Sequence, residues 1–298
     1  MKLPAFAALL FAAVVFPLAA GYGQDRPKNR EEAEALVSTL KFQQGDVTLK
    51  DGLATLKVPD GLRFLDGHDA GIVLVKLWNN PPMPDPLGLI MPAEASPLDP
   101  NSWAVIVTYE AEGYVKDQDA EKIDYAELLQ KMQKDTRDAN KERVKEGYPA
   151  IELVGWAAPP HYDKAVHKLY WAKELKFRGA DENTLNYNIR ILGRRGVLVL
   201  NAVAAMSQLP EIEQKAPKIL AAIDFNPGHR YADFSEAAGD KVASYGIAAL
   251  VAGGVAAKLG LFKGLWVAIL AAKKFVIIGF VALAAWLRKL FGKNKAAA

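Results

Sequence analysis

Four histidines and no cysteine bound the chemistry open to this 298-residue sequence. Without cysteine there is no disulfide framework, thiolate catalysis, Cys-ligated zinc, iron–sulfur cluster or lipidated N-terminal cysteine. The densest group of proton-transferring side chains is His161, Tyr162 and Asp163, with His167 close behind. A carboxylate between histidines suits a metal or a positioned general base. This spacing matches no ordinary zinc pattern, however, and Pro159-Pro160 ahead of it suggests a rigid turn, so no metal is assigned. His161, Tyr162 and Asp163 remain candidate binding residues, joined by Arg194 and Arg195. That arginine pair sits on an expected hairpin tip, where it either meets anionic head groups or a polyanionic wall polymer or is simply solvated.

Other signals are weaker. Ser38 and Lys41 form S-x-x-K, but the S-x-N and K-T-G elements of penicillin-interacting enzymes do not occur. Asp117, Asp119 and Glu121 begin like a calcium loop, yet Lys122 stands where glycine is needed and Leu128 where the bidentate glutamate belongs. These acids are better read as leading into the following helix and favouring its positive end. G-x-S-x-G, the Walker loop and G-x-G-x-x-G do not occur, and no cofactor is assigned.

The elements that must position these residues follow from hydrophobic periodicity and turn chemistry. A short helix is expected over 30–41, then strands at 46–50 and 53–58 around Asp51-Gly52, a hairpin dipeptide. Residues 71–78 fit either a helix end or a strand. Seven prolines between 81 and 100 argue against a central strand or helix there. The apolar patch 87–91 among them becomes a candidate recognition surface. A strand is expected at 103–110. A helix opens at Asp124 with Glu127 in capping-box spacing and stops near Gly147 and Pro149. Four strands follow at 150–156, 167–177, 185–192 and 196–204. The third alternates, with Leu185, Tyr187, Ile189 and Ile191 opposite Asn186, Asn188 and Arg190, so one face should pack and the other meet water. The fourth is apolar on both faces and should be central. A last helix covers 210–223. Strands, helix, four strands, helix, without regular βαβ alternation, give an α+β domain: an antiparallel sheet with packing helices. The arrangement resembles the Mog1/PsbP-like type.

Charge is partitioned along the chain. Residues 24–240 hold 27 basic and 34 acidic side chains, a body of −7, whereas no Asp or Glu follows Asp240 and nine Lys or Arg do. An acidic body with a basic, apolar tail is unlike a nucleic-acid binder and like a membrane anchor carrying a water-facing domain. Residues 1–23 have the short basic start, apolar stretch and small residues of a secretory signal. The expected organisation is a signal peptide at 1–23, an exported α+β domain at 24–240 and a C-terminal membrane anchor at 241–298. Within the anchor, 242–262 is long enough to span. Residues 264–287, with Lys273 and Lys274 near the centre, are expected to form a basic amphipathic segment lying on or dipping into the cytoplasmic face. Gly260 and Gly264 form a GxxxG that either dimerises helices or reflects a tail rich in small residues. The expected location is a bacterial inner membrane with the main domain on the periplasmic side, and the lipid bilayer as a partner.

Several runs together resemble a bacterial family of membrane-anchored proteins defined by domain of unknown function 2167. They are GDVTLKDGLATLKVPDGLRFL (45–65), SWAVIVTYEAEGYV (102–115), LVGWAAPPHYDKAVHKLYWAK (153–173), LNYNIRILGRRGVLVL (185–200) and FNPGHRYADF (225–234), followed by the Gly/Ala-rich tail. The resemblance implies a membrane-anchored protein with an exported domain and transfers no catalytic residues. The function expected is an envelope protein whose exported domain acts in binding or envelope maintenance. The alternative is a periplasmic envelope hydrolase with a dispersed active site, for which His161, Tyr162 and Asp163 are the residues to mutate first.

Overall fold

The computed structural model describes residues 26–253, except 79, 81–82, 84, 100–101 and 146–148. The chain divides into two compact units, Met1–Ala252 and Gly253–Ala298. The expected signal peptide at 1–23, Gly260, Gly264 and the 264–287 segment lie outside the described residues.

Asn29 caps helix α1 (Arg30–Ser38) by accepting from the Glu32 amide at 2.9 Å. The hairpin β1 (Gly45–Leu49) and β2 (Ala54–Val58) turns through Lys50, Asp51 and Gly52, all with positive φ. Strand β3 (Leu62–Asp66) leads into α2 (Gly67–Gly71), which continues as a π-helix over Ile72–Leu77. Strands β4 (Gly88–Pro92), β5 (Ala104–Glu110) and β6 (Tyr114–Lys116) follow. Then come α3 (Tyr125–Lys145), β7 (Ile151–Asp163), β8 (Lys168–Phe177), β9 (Thr184–Leu192), β10 (Val197–Ala205), α4 (Leu209–Ala222), β11 (Ile223–Phe225), β12 (Val242–Gly246) and α5 (Ile247–Ala252).

The main sheet has seven strands in the order β3-β4-β5-β10-β9-β8-β7, every neighbouring pair antiparallel. The expected α+β class with an antiparallel sheet is the fold observed, and β10 is indeed the middle strand. On one face the sheet packs against the smaller sheet β1-β2-β11 and helix α4, burying Leu56, Phe64, Trp103, Leu185, Leu198 and Ile219 in one apolar cluster. Trp103 ties α4 to the sheet by donating to Glu211 at 3.1 Å. Lys168 donates to the carbonyls of Leu220 at 2.6 Å and Ile223 at 3.0 Å, which places a cation at the C-terminal end of α4. The opposite face carries separate apolar clusters. The α2 and π-helical segment covers Leu65, Leu89, Met91 and Ile106, while β12, α5 and Tyr231 cover Leu169, Trp171, Val197 and Val199. Helix α3 packs Met132 against Ile151, Leu153 and Leu175.

Four expectations are corrected here. Residues 87–91 are no recognition surface: β4 lies inside the sheet between β3 and β5, and Leu89, Ile90 and Met91 are fully buried. The prolines flank this strand, and Pro92 sits at its end, where no ladder bond is lost. Second, the strand expected to stop at Trp156 runs through Pro159-Pro160 to Asp163. It can do so because β7 is an edge strand with three register shifts against β8. Third, β9 is buried along its whole length, including Asn186, Asn188 and Arg190, because its second face is also covered. Fourth, the boundary expected at 240/241 falls inside the folded unit. Residues 242–246 form β12, paired in parallel with β6, and α5 buries Ile247, Leu250 and Val251 in the body. The first half of the expected span is therefore part of the domain, and the rest of it lies outside the described residues. Among the described residues no helix is long and apolar enough to cross a membrane.

Candidate functional site

Strand alternation decides the fate of His161, Tyr162 and Asp163. Tyr162 pairs with Leu169 in β8, whereas His161 and Asp163 pair with Tyr170 and Lys168 and so belong to the other face. His161 is exposed against the Tyr170 ring, and Asp163 accepts the Ala165 amide within its own turn. The three residues do not form a common site. Tyr162 instead donates to Asp117 at 2.8 Å and meets His167 Nδ1 at 3.1 Å, with Asp117 3.7 Å from the same nitrogen. The His167 ring stacks on Tyr231 at 4.0 Å, and Tyr114 stacks on both Tyr231 and Phe234. Burial first, then the Asp117 carboxylate, pushes the Tyr162 phenol well above its ordinary range. It is held neutral as a hydrogen-bond donor, so this cluster ties the β7–β8 hairpin to β6.

Arg194 and Arg195 are likewise committed. Both guanidinium groups close on Asp240, at 2.6 and 2.5 Å, and the Asp240 side chain is fully enclosed. The Arg194 hydrogen bond is the main reason its carboxyl lies far below the usual range, with Arg195 and the Ser235 amide acting in the same direction against burial. The expected solvated hairpin tip is therefore a clasp on the chain that leads into β12. Ser38 spends its hydroxyl on the Ala35 carbonyl. Asp119 caps not the following helix but α5, accepting from Ile247 at 3.0 Å and Ala248 at 3.2 Å. Asp66, His68 and Asp69 offer ligand atoms close together, but Asp66 accepts the Asp69 amide, and Asp69 accepts the Lys41 amide and contacts His68.

Two unspent polar groups, Trp171 Nε1 and the Tyr245 hydroxyl, lie elsewhere, on the sheet face shared by the α2 and α5 covers. The register sets Lys173 opposite Asn186, Trp171 opposite Asn188, and Asn188 opposite Asn201, while Arg190 lies beside Leu169 and Val199. Asn186, Asn188, Arg190 and Asn201 are buried and Lys173 is partly buried. Asn188 donates to the Asn186 carbonyl at 2.8 Å and to its side-chain oxygen at 3.0 Å, and Arg190 donates to the Asn201 oxygen at 3.1 Å. Those contacts consume acceptors. Arg190 lies over the Trp171 ring at 5.1 Å, and both Trp171 Nε1 and the Tyr245 hydroxyl are buried without a hydrogen-bond partner. Burial, then repulsion from Arg190, pushes the Lys173 amine down to about 8, and burial takes the Arg190 guanidinium down to about 10. Among the described residues neither cation is in an ion pair; Glu110 on β5 is the carboxylate in electrostatic reach of Arg190. Alternation alone assigns Asn186, Asn188 and Arg190 to water, and marks neither Lys173 nor Asn201. Their cover comes from segments far away in sequence, so no local signal marked them.

Fold and site define an α+β domain with a row of cationic and amide donors on one face of a seven-stranded antiparallel sheet. The chain belongs to the family described as "Protein of unknown function (DUF2167)", whose model matches residues 41–284. No curated protein matches it. Similar solved structures include the following three. Cyanobacterial PsbP from Synechocystis shares 10% identity, covering 63% of this chain and 94% of its own, with a TM-score of 0.35. LpqN, involved in cell envelope biogenesis of Mycobacterium tuberculosis, shares 18% over 64% and 95%, with a TM-score of 0.31. The Saccharomyces cerevisiae Ran-binding protein Mog1p shares 11% over 66% and 100%, with a TM-score of 0.34. Likeness at this level transfers neither residues nor activity.

Proposed function

We propose that this is a membrane-anchored envelope protein whose exported α+β domain binds a small ligand, without transforming it, beneath the α5 and β12 cover of the sheet face that carries Arg190, Lys173, Asn186, Asn188 and Asn201. One observation carries the reading: the polar groups left unspent around Arg190 are donors, whereas the proton-transferring candidates at 161–163 face opposite ways and Tyr162 is held neutral. Residues 253–298 supply the anchor, with eight Lys or Arg and no Asp or Glu among 46 positions. Such a basic apolar tail favours an anionic bilayer surface. The domain faces the periplasm and the tail lies at the inner membrane, where Gly260 and Gly264 are available for helix pairing.

Photo-crosslinking from position 186 of the full chain in its native membrane tests the binding face, with position 161 as the control on the opposite face. Adducts from 186 and none from 161 are expected. Equal yields, or small-molecule turnover abolished by His161→Ala, overturn the proposal. A reporter fused after Lys295 should be active in the cytoplasm.

A further inference from the structure

Resting on that binding face, we infer that its ligand is an oxyanion of the phosphate or carboxylate kind, held between Arg190 and Lys173. Charge supports this. Two cations sit on neighbouring strands of one face and neither is in an ion pair among the described residues, while Glu110 stands near Arg190 without contacting it. Like charges brought together and desolvated are costly unless an opposite charge joins them. Hydrogen-bond capacity supports it independently. The Asn186 and Asn201 side-chain oxygens are already accepting, whereas Trp171 Nε1 and the Tyr245 hydroxyl are buried donors with nothing to donate to. A carboxylate is acceptor-only and a phosphate nearly so, and either meets a guanidinium in a forked geometry. A cation would find Arg190 and Lys173 repulsive, and a neutral apolar group would leave the buried donors unpaired. The charged and titratable groups around the site are Lys173 on β8, Arg190 on β9, Glu110 on β5, and Tyr245 on β12, which also feels Glu112.

The test reads Lys173 directly. The full chain in detergent is labelled at pH 8 with an amine-reactive ester, and the peptide carrying Lys173 is quantified by mass spectrometry. Inorganic phosphate and short-chain phosphatidylglycerol are titrated at constant ionic strength against chloride. A bound anion that raises the amine by about one unit slows acylation about fivefold at this pH. The expected result is saturable slowing by phosphate, by the lipid or by both, lost in Arg190→Gln and partly kept in Arg190→Lys. Slowing by the lipid alone assigns the site to a membrane head group, and slowing by free phosphate assigns it to a soluble anion. Equal slowing by chloride, or by both anions in Arg190→Gln, overturns the inference. If no anion protects Lys173 while position 186 still crosslinks selectively, the oxyanion assignment fails and the binding face stands; if neither occurs, both fail.

Discussion

The Asp119 carboxylate accepts the Ile247 amide at 3.0 Å, joining two positions that lie 128 residues apart. With the Ala248 amide on its second oxygen it satisfies donors at the start of α5 that have no partner within the helix. Asp119→Ala should cost about 1 kcal/mol, the usual effect of losing a cap. Hydrogen exchange should accelerate at Ile247 and Ala248 first. Unchanged protection there would show that α5 is held by its apolar contacts alone.

Asp240 gives the fold an acid-sensitive clasp. Its carboxyl is depressed in the folded state, so its contribution is complete above the unfolded aspartate value of about 3.9 and is lost as pH falls below that toward the folded value. Thermal unfolding of the native protein should weaken more steeply below about pH 4 than that of Asp240→Asn. Of the two partners, Arg194→Ala should be the more damaging, because its side chain is 18% exposed against 56% for Arg195.

Tyr162→Phe and His167→Ala should each lower stability by about 1 kcal/mol, since both remove contacts around Asp117. His161→Ala and Asp163→Ala should stay within about 0.5 kcal/mol, as substitutions at exposed positions outside the cluster do. Denaturant midpoints of the four variants test the split. A larger effect at 161 than at 162 would contradict the strand register.

Ile90→Ala should cost about 2–5 kcal/mol, the range for cavities opened in a packed core. Were the 87–91 stretch an exposed recognition surface, the same change would barely shift the unfolding midpoint.

Gly196→Ala should also destabilise the protein. A Cβ there would lie 2.2 Å from the Glu110 carbonyl oxygen, a backbone atom that cannot swing aside. A native melting temperature in this variant would mean that the β5–β10 pairing is looser than its register implies.

Local patterns made much of the architecture legible. The alternation of Leu185, Tyr187, Ile189 and Ile191, the apolar run in β10, and Asp51-Gly52 each describe a strand or turn whose cause lies within a few residues. Asp124 similarly marks the start of α3, accepting the amides of Ala126 and Glu127. What stayed hidden depends on partners far along the chain. Nothing near Asn188 announces that α5 and β12 will cover its side of the sheet, and nothing near Val242 distinguishes a strand of the domain from the start of a span. Pro159-Pro160 misled for a different reason: proline forbids a ladder bond, yet an edge strand has one side with no ladder to lose. Had 150–163 been read as one strand, period-two alternation would have separated Tyr162 from its neighbours. Its actual partnership with Asp117 would still have been invisible.

The parallel pairing of β12 with β6 also bears on the order of events during synthesis. Strand β6 and the central strands precede β12 and α5, which come last among the described elements, and so leave the ribosome, and on the proposed export cross the membrane, first. Until then Trp171, Val197 and Val199 lack the apolar cover that Ile247, Leu250 and Val251 provide. The apolar cover of that face therefore arrives with the segment that joins the domain to the tail, and a chain truncated before residue 242 would leave it open.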